Sequence, residues 1–260
     1  MAGVTILLAP SKTMDFTTPV PYEITPQIPV FSNEAAQLAT NIAKLSQPKL
    51  TKLLLVSPAI ASVVYRYYQD WDETCVGRPA LWTYTGDVYK GVKAQTLSEA
   101  DADWAQQHLL ISSGLYGLVR PFDGIQAYRL EMKSSFQIER ATSLNEFWGG
   151  KLSQYVDGQG DDWLCNLSSE EYARVVTRHT KLPVITPVFL DTKPTGAIGQ
   201  VPIYSKMMRG VMARWMIDKR IRNPEQLTKF GEHKYSYDSY NSKPGFPAFR
   251  RQKMIPLRFD

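Results

Sequence analysis

The chain has 260 residues, enough for one domain or at most two with a substantial core. Hydrophobic residues make up 43% and charged residues 21%, as in soluble globular proteins, and no apolar run has the about 18 residues that a membrane helix requires. The first residues, MAGVTILLAPSKT, lack a basic segment and a long apolar core, so they are more typical of a buried strand than of a signal peptide. We therefore expect a cytoplasmic protein without a membrane partner.

The metal-binding residue types are few and scattered. Two cysteines, Cys75 and Cys165, lie far apart, and the three histidines follow no metal-ligand spacing. We therefore expect no metal site and no cofactor.

The basic residues are concentrated near the C-terminus. Residues 201–260 carry 13 Lys and Arg against five Asp and Glu, whereas residues 1–200 carry 17 against 20. A basic quarter on a near-neutral body favours an anionic partner such as nucleic acid or a phosphorylated ligand. A solvated basic surface without a partner is the alternative.

Predicted strands and helices alternate along the chain. The predicted strands and extended segments are VTILL near the start, 81–84, LLISS at 109–113, WLCNL at 163–167, PVITPVFL at 183–190 and VPIYS at 201–205. The predicted helices are 33–45 after Ser32, 48–56, 59–70, one capped by Ser98 with Asp101, 144–156, one capped by Ser168 with Glu171, and 206–221. We expect the TGDVYKG segment to form a turn and residues 231–260 to be irregular. This order predicts a compact α/β fold, a single domain over residues 1–260 with a mixed central β-sheet flanked by helices.

Four predicted strands end in serine, in the segments LLAPSK, LLISSG, CNLSSE and PIYSKM. Ligands of open α/β sheets bind beyond the carboxyl ends of the strands, where helix N-termini attract anions. We therefore expect Lys12, Lys206 and Arg209 to surround one basic cleft, with Arg214 extending the same helical stripe. Serine is also a good helix N-cap, which is the structural alternative. The polar residues expected in this cleft are Ser11, Asp87 and Tyr204.

The loop after LLISS holds two arginines among turn residues. Arg120 and Arg129 follow a Ser-Ser-Gly sequence, with Gly117, Pro121 and Gly124 between or beside them. One hypothesis is that this loop fixes both guanidinium groups toward an anion. The alternative is that they bond buried carbonyl groups, or Asp123 and Glu131.

Several long segments resemble the YaaA family of bacterial peroxide-stress proteins. They include LLAPSKTMDF, YTGDVYKGVKAQTLSEADADWAQQHLLISSGLYGLVRPFDGIQAYRLEM, EFWG, NLSSEEY, PVFLD, YSKMMRGVMARWMI and NPEQLTKF, in the expected order over nearly the whole chain. The resemblance implies a role in surviving hydrogen peroxide and limiting free iron. It also implies DNA binding through a positively charged cleft and a helix-hairpin-helix element in a compact α/β fold.

The segment QPKLTKLLLVSPAIASVVYRYYQDW, within residues 45–71, is the candidate for that hairpin. Its turn amides and the side chains of Lys49, Lys52, Ser57 and Arg66 would hold a backbone phosphate. The turn contains Ser57 and Pro58 where such hairpins usually have glycines, so an ordinary helical hairpin packed on the core is equally compatible.

Two functional hypotheses follow, and a third, a sensor without chemistry, stays open. The first is a monomeric DNA-binding stress protein that contacts duplex or damaged DNA mainly through phosphates. The second is an enzyme that acts on a nucleotide, a base or a nucleic-acid lesion in the same cleft, with a nucleotide-like small molecule as ligand. A closed cavity of nucleotide size would favour the enzyme, and an open groove would favour the DNA-binding protein.

Overall fold

The computed structural model describes residues 3–138, 141–253 and 257. Its strands are β1 (Val4–Leu8), β2 (Thr13–Met14), β3 (Arg78–Pro79), β4 (Tyr84–Thr85), β5 (Leu109–Ser113), β6 (Gly117–Val119), β7 (Gly124–Ile125), β8 (Trp163–Leu167), β9 (Val184–Ile185), β10 (Val188–Thr192), β11 (Ile198–Gly199), β12 (Tyr235–Tyr237) and β13 (Ala248–Arg251). Its α-helices are α1 (Ser32–Ala43), α2 (Gln47–Leu54), α3 (Pro58–Gln69), α4 (Ala80–Thr83), α5 (Asp87–Val92), α6 (Glu99–His108), α7 (Leu144–Trp148), α8 (Lys151–Asp157), α9 (Glu170–Thr177) and α10 (Pro202–Asp218).

The central sheet has five strands in the order β6-β5-β1-β8-β9. Strand β1 is parallel to β5 and β8, with Ile6 opposite Leu109 and Cys165, whereas β6 is antiparallel to β5. Every residue of β1, β5 and β8 is buried, as expected for parallel strands covered by helices on both faces. The prediction of an α/β fold with a mixed sheet flanked by helices is confirmed.

The parallel strands place three loops at one edge of the sheet. Because β1, β5 and β8 run in the same direction, the residues that follow Leu8, Ser113 and Leu167 meet at their shared carboxyl end. A second sheet, in the order β11-β10-β13-β12, lies near the C-terminus. Its strands β12 and β13 fall in residues 231–260, which the sequence analysis wrongly expected to be irregular. The reason is that their aromatic side chains, including Tyr235 and Phe249, are fully buried.

Helices α5 and α10 cross at very short distance through two glycines. A Cβ atom on Gly210 would lie 1.8 Å from the carbonyl oxygen of Val88, and one on Gly91 would lie 2.4 Å from that of Met207. No larger residue fits either position without separating the helices. This crossing fixes the first turns of α10 beside the carboxyl edge of the central sheet.

The start of α10 corrects one prediction. VPIYS is not a strand, because α10 begins at Pro202 and includes Ser205 and Lys206 in its first turns. Proline suits the first helical position, where its missing N–H group would have no helical partner. The TGDVYKG segment is likewise not a simple turn, since α5 begins at Asp87 after Gly86 at φ 109°.

Other element boundaries also differ from the predictions. Residues 80–83 form α4 and only Tyr84–Thr85 is a strand, while the helix predicted over 144–156 is interrupted by the pair Gly149 and Gly150. The cap at Ser98 with Asp101 is confirmed. The cap at Ser168 is wrong, because α9 starts one residue later, after Ser169, and no side chain caps it.

The helices predicted at 48–56 and 59–70 are present as α2 and α3, which pack against each other. Leu55 adopts the left-handed conformation at the end of α2, and the Ser57 hydroxyl accepts a hydrogen bond from Ile60 N–H at the start of α3. Within the described residues, no helix combines the length and the apolar character needed to cross a membrane.

Candidate functional site

A cavity of about 480 Å³ lies at the carboxyl edge of the central sheet. Its walls come from the loops after β1 and β8, from the start of α5, from the segment after β7 and from the first turns of α10. Among the residues that the structure describes, five basic side chains line it: Lys12, Arg129, Lys133, Lys206 and Arg209. We call it the strand-end cavity.

The strand-end cavity brings together residues that are far apart in the sequence. Lys12 follows β1, whereas Lys206 and Arg209 lie three residues apart on α10, and such spacing places side chains on one helix face. Ser11 and Asp87 line the same cavity. The sequence predicts that these five residues surround one cleft, and all five line this cavity. Their role in binding an anion stays a prediction.

Glu131 is the buried counter-charge of the cavity. Only 7% of this residue is exposed, and its carboxylate lies 2.8 Å from Lys12 Nζ, 3.4 Å from Lys133 Nζ and 3.8 Å from Arg129 Nη2. Partial burial opposes ionisation of Glu131, but the hydrogen bonds and charges of the two lysines outweigh it and hold its pKa below the ordinary value. Glu131 is therefore ionised at neutral pH and balances part of the positive charge.

Two of the cations, and the Nε atom of a third, lack a partner among the described residues. Among the residues that the structure describes, Arg209 and Lys206 form neither an ion pair nor a hydrogen bond. Burial lowers the pKa of Arg209, although a guanidinium group stays charged in proteins. Arg129 is 3.8 Å from Glu131, and its Nε atom is buried without a hydrogen-bond partner. The cavity thus has positive charge that the described residues do not neutralise.

One side of the cavity is a cluster of hydroxyl groups. Thr13 Oγ1 lies 3.0 Å from Ser11 Oγ and accepts a hydrogen bond of 3.0 Å from the Thr85 hydroxyl. Gly86 follows at a positive φ of 109°, and a Cβ atom there would lie 2.9 Å from Ser11 Oγ. Glycine at this position therefore lets the start of α5, with Asp87, approach the hydroxyl cluster.

Tyrosines form the apolar wall. Tyr128 is buried, and its hydroxyl lies 2.7 Å from both Ser113 Oγ and Tyr84 Oη, while Tyr89 donates a hydrogen bond of 2.9 Å to the Ala9 carbonyl. Burial raises the pKa of Tyr128 to about 12, so it stays neutral. Tyr172 is less buried than these residues and completes the wall.

A second concavity, of about 470 Å³, adjoins the helical hairpin. Lys49 and Lys52 of α2 line it together with Leu55. Glu131 and Lys133 line both this concavity and the strand-end cavity. The two concavities are therefore neighbours that share a wall.

Arg120 does not line the strand-end cavity, in contrast to its predicted role there. Its guanidinium donates hydrogen bonds to the carbonyl oxygens of Gln106 and Gln107, to the Tyr155 hydroxyl and to the Gln159 side chain. Of the two alternatives for the arginine loop, the structural one holds for Arg120. Arg129 instead lines the cavity and also faces Glu131.

Arg214 and Tyr204 are also placed elsewhere. Arg214 pairs with Asp218 at 2.7 Å and donates to the carbonyl groups of Val92, Lys93 and Thr96, which ties α10 to the end of α5. The Arg251 guanidinium lies over the Tyr204 ring, with its Cζ atom 4.9 Å from the ring centroid. Tyr204 lies in the first turn of α10 rather than in a strand, and Arg214 lies five residues after Arg209, a spacing that places the two arginines on different faces of the helix.

The hairpin residues are spread out. Lys52 lines the second concavity, whereas Ser57 caps α3 and Arg66 is exposed in the last turn of α3. Lys133 was not predicted as a site residue, and Glu131 was predicted only as an ion-pair partner. The sequence offered one usable signal, the position of both residues within four positions of Arg129.

The donor set of the cavity suits an anion better than a cation. Among the described residues, no group of three or more His, Cys, Asp or Glu side chains is arranged to hold a metal ion. The basic side chains outnumber the carboxylates that line the cavity, which are Asp87, Glu131 and Glu171.

Comparisons with known proteins identify the family of this chain. The family model described as peroxide stress protein YaaA matches residues 4–241. The chain belongs to this family. A relative named UPF0246 protein from Polynucleobacter necessarius subsp. necessarius is 38% identical over 254 residues, covering 95% of this chain and 98% of the relative. UPF0246 proteins from Polynucleobacter asymbioticus and Ruegeria pomeroyi are 37% and 38% identical with the same coverage.

Proposed function

We propose that this member of the peroxide stress protein family binds DNA in the cytoplasm, as a monomer, mainly through backbone phosphates. The observation that carries the proposal is the wall shared by the two concavities. Because the two concavities share this wall, the cations of the strand-end cavity and those of the hairpin would form one continuous surface. We call this surface the basic tract; its residues are Lys206, Arg209, Lys12, Arg129, Lys133, Lys52 and Lys49.

The composition of the basic tract favours phosphate over base recognition. Lysine and arginine neutralise phosphates and fix the register of a protein on DNA without reading its sequence. Lys12 and Lys133 each have about 60% of their side chain exposed, so a phosphate can approach both while they remain close to Glu131. Such binding would hold DNA independently of its sequence.

The hairpin would contribute through its lysines rather than through its turn. The Ser57 hydroxyl already accepts the Ile60 N–H group, and Pro58 has no N–H group to offer a phosphate. Lys49 and Lys52 extend instead into the second concavity. The hairpin therefore lengthens the basic tract by two charges.

The test is the salt dependence of duplex binding, measured by fluorescence anisotropy. Each neutralised phosphate contributes a slope of about 0.9 to the logarithmic dependence of affinity on salt. We expect the double variant Lys49→Ala/Lys52→Ala to lower this slope by about 1 to 2 and to weaken binding equally for unrelated sequences. Lys219→Ala, which removes an exposed lysine after α10, is the matched control and should change neither quantity.

Two results would contradict the proposal. One is an affinity that does not change between about 50 and 200 mM salt. The other is an equal loss of affinity in the Lys219→Ala control, since this would mean that DNA binds the general positive surface and not the basic tract.

A further inference from the structure

The strand-end cavity holds more fixed positive charge than its own carboxylates balance. Glu131 is shared by two lysines, while Lys206 and Arg209 have no ion-pair partner in the described part of the chain. The Arg129 side chain lines the same cavity and is 21% exposed. An anion in the cavity would balance this positive charge, and the planar guanidinium groups match the geometry of phosphate oxygens.

The size of the cavity restricts that anion. Its volume of about 480 Å³ is within the range of about 300 to 1,000 Å³ that is typical of small-molecule sites. A cavity of this volume accommodates a single nucleotide but not a double helix. The basic tract as a whole and the strand-end cavity can therefore bind different ligands.

The remaining walls suit the other parts of a nucleotide. Asp87 lines the cavity together with Ser11 and Thr85, and carboxylates in nucleotide sites commonly accept hydrogen bonds from ribose hydroxyls. Tyr172 offers a partly exposed aromatic ring on which a base can stack.

We propose that the strand-end cavity binds a nucleoside 5′-monophosphate. The phosphate would contact Arg129, Lys206 and Arg209, the ribose would lie at Asp87, and the base would lie on Tyr172. Lys12 and Glu131, 2.8 Å apart, would then lie beside the bound nucleotide, and a lysine and a carboxylate are side chains that can act as general acid and base. This inference does not depend on DNA binding, although the two use some of the same cations.

Calorimetric titration of the whole protein separates the parts of the ligand. The probes are a nucleoside monophosphate with each of the four ribonucleotide bases, the corresponding nucleosides, ribose 5-phosphate and inorganic phosphate. We expect at least one monophosphate to bind, and its nucleoside to bind at least about 30-fold more weakly, because charge-assisted contacts supply most of the affinity. Inorganic phosphate should also bind more weakly than the monophosphate, since it contacts neither Asp87 nor Tyr172.

Variants locate the phosphate. Arg209→Ala should weaken monophosphate binding by about 10-fold or more, whereas Lys219→Ala should leave it unchanged. If Arg209→Ala does not fold, Lys206→Ala serves instead, because Lys206 is exposed and its loss leaves no cavity. Asp87→Asn should reduce any preference for the ribonucleotide over its 2′-deoxy form.

Each outcome bears on one proposal. If no monophosphate binds at millimolar concentration while duplex DNA does, the nucleotide site is wrong and DNA binding stands. If a monophosphate binds and DNA does not, DNA binding is wrong and the nucleotide site stands. Binding of the monophosphate that is equally strong in Arg209→Ala and Lys206→Ala would also overturn the proposed site.

Discussion

Gly210→Ala tests whether the helix crossing positions the basic residues of α10. The new methyl group would lie 1.8 Å from the Val88 carbonyl oxygen, whereas ordinary contacts of a Cβ atom begin near 3.4 Å. The neighbour is backbone, so no side chain can rotate away, and α5 and α10 must separate by about 1.5 Å. Overpacking of this kind costs about 1 to 3 kcal/mol and occasionally more, against a gain of about 1 kcal/mol in helix propensity.

Because a contact of 1.8 Å with backbone places the cost near the upper end of this range, about 3 kcal/mol, we expect a net loss of about 2 kcal/mol in the free energy of unfolding. For a chain of this size the melting temperature should fall by about 4 to 8 °C. Urea denaturation and thermal melting measure the loss, and DNA or monophosphate titration measures the displacement of Lys206 and Arg209. Gly150→Ala is the control, because its backbone lies in the right-handed helical region (φ −82°, ψ −5°) and the nearest neighbour of its Cβ position is the end of the Gln154 side chain at 3.6 Å. A Gly210→Ala variant as stable as the wild type would refute the claim that the two glycines are required for close packing.

Three further changes give distinct results. Burial raises the pKa of Asp123 to about 6, so the stability contributed by its protonated form is present below pH 4 and lost as the pH rises toward 6. Asp123→Asn should therefore add about 1 to 3 kcal/mol to the free energy of unfolding at pH 7.5 and little at pH 4, measured by urea denaturation. Glu131→Gln removes the shared counter-charge and should strengthen duplex binding several-fold in anisotropy titrations while lowering the melting temperature; weaker binding with the fold intact would contradict this role. Arg214→Ala should cost about 2 kcal/mol by losing its pair with Asp218 and three carbonyl contacts, yet leave the DNA affinity of the folded protein unchanged.

The central strands could be predicted because their signals are local. VTILL, LLISS and WLCNL are continuous apolar runs, and all three are buried parallel strands. VPIYS is also largely apolar, but its residues from Pro202 onward begin a helix, because proline suits the first helical position. The close contact of Gly210 with Val88 then holds the following turns of this helix against α5. Tertiary packing of this kind outweighs strand propensity and leaves no mark in a short window of sequence.

The meeting of Lys12 and Lys206 at one cavity was predicted, but the predicted reason, that both follow strand ends, holds only for Lys12. Lys12 does follow a strand end, but Lys206 reaches the same cavity from the first turns of a helix. The sequence alone does not show which arginine of this loop is structural and which lines the cavity. The carbonyl groups that engage Arg120 belong to Gln106 and Gln107 at the end of α6, and only the folded chain brings them within reach.

Several of the basic residues in the C-terminal quarter form ion pairs within the fold, so the composition of this segment overstates the charge that is available to a ligand. Arg251 is 2% exposed and pairs with Asp191, Arg250 pairs with Asp238 at 3.0 Å, and Arg220 pairs with Asp101 at 2.7 Å. These arginines hold strands and helices together, so they contribute little to the attraction of an anion at a distance. Of the basic residues that the structure describes in 201–260, Lys206 and Arg209 line the strand-end cavity. The net charge therefore does not locate the cations of the cavity, whereas the close contact of Gly210 with α5 fixes which residues of α10 line it.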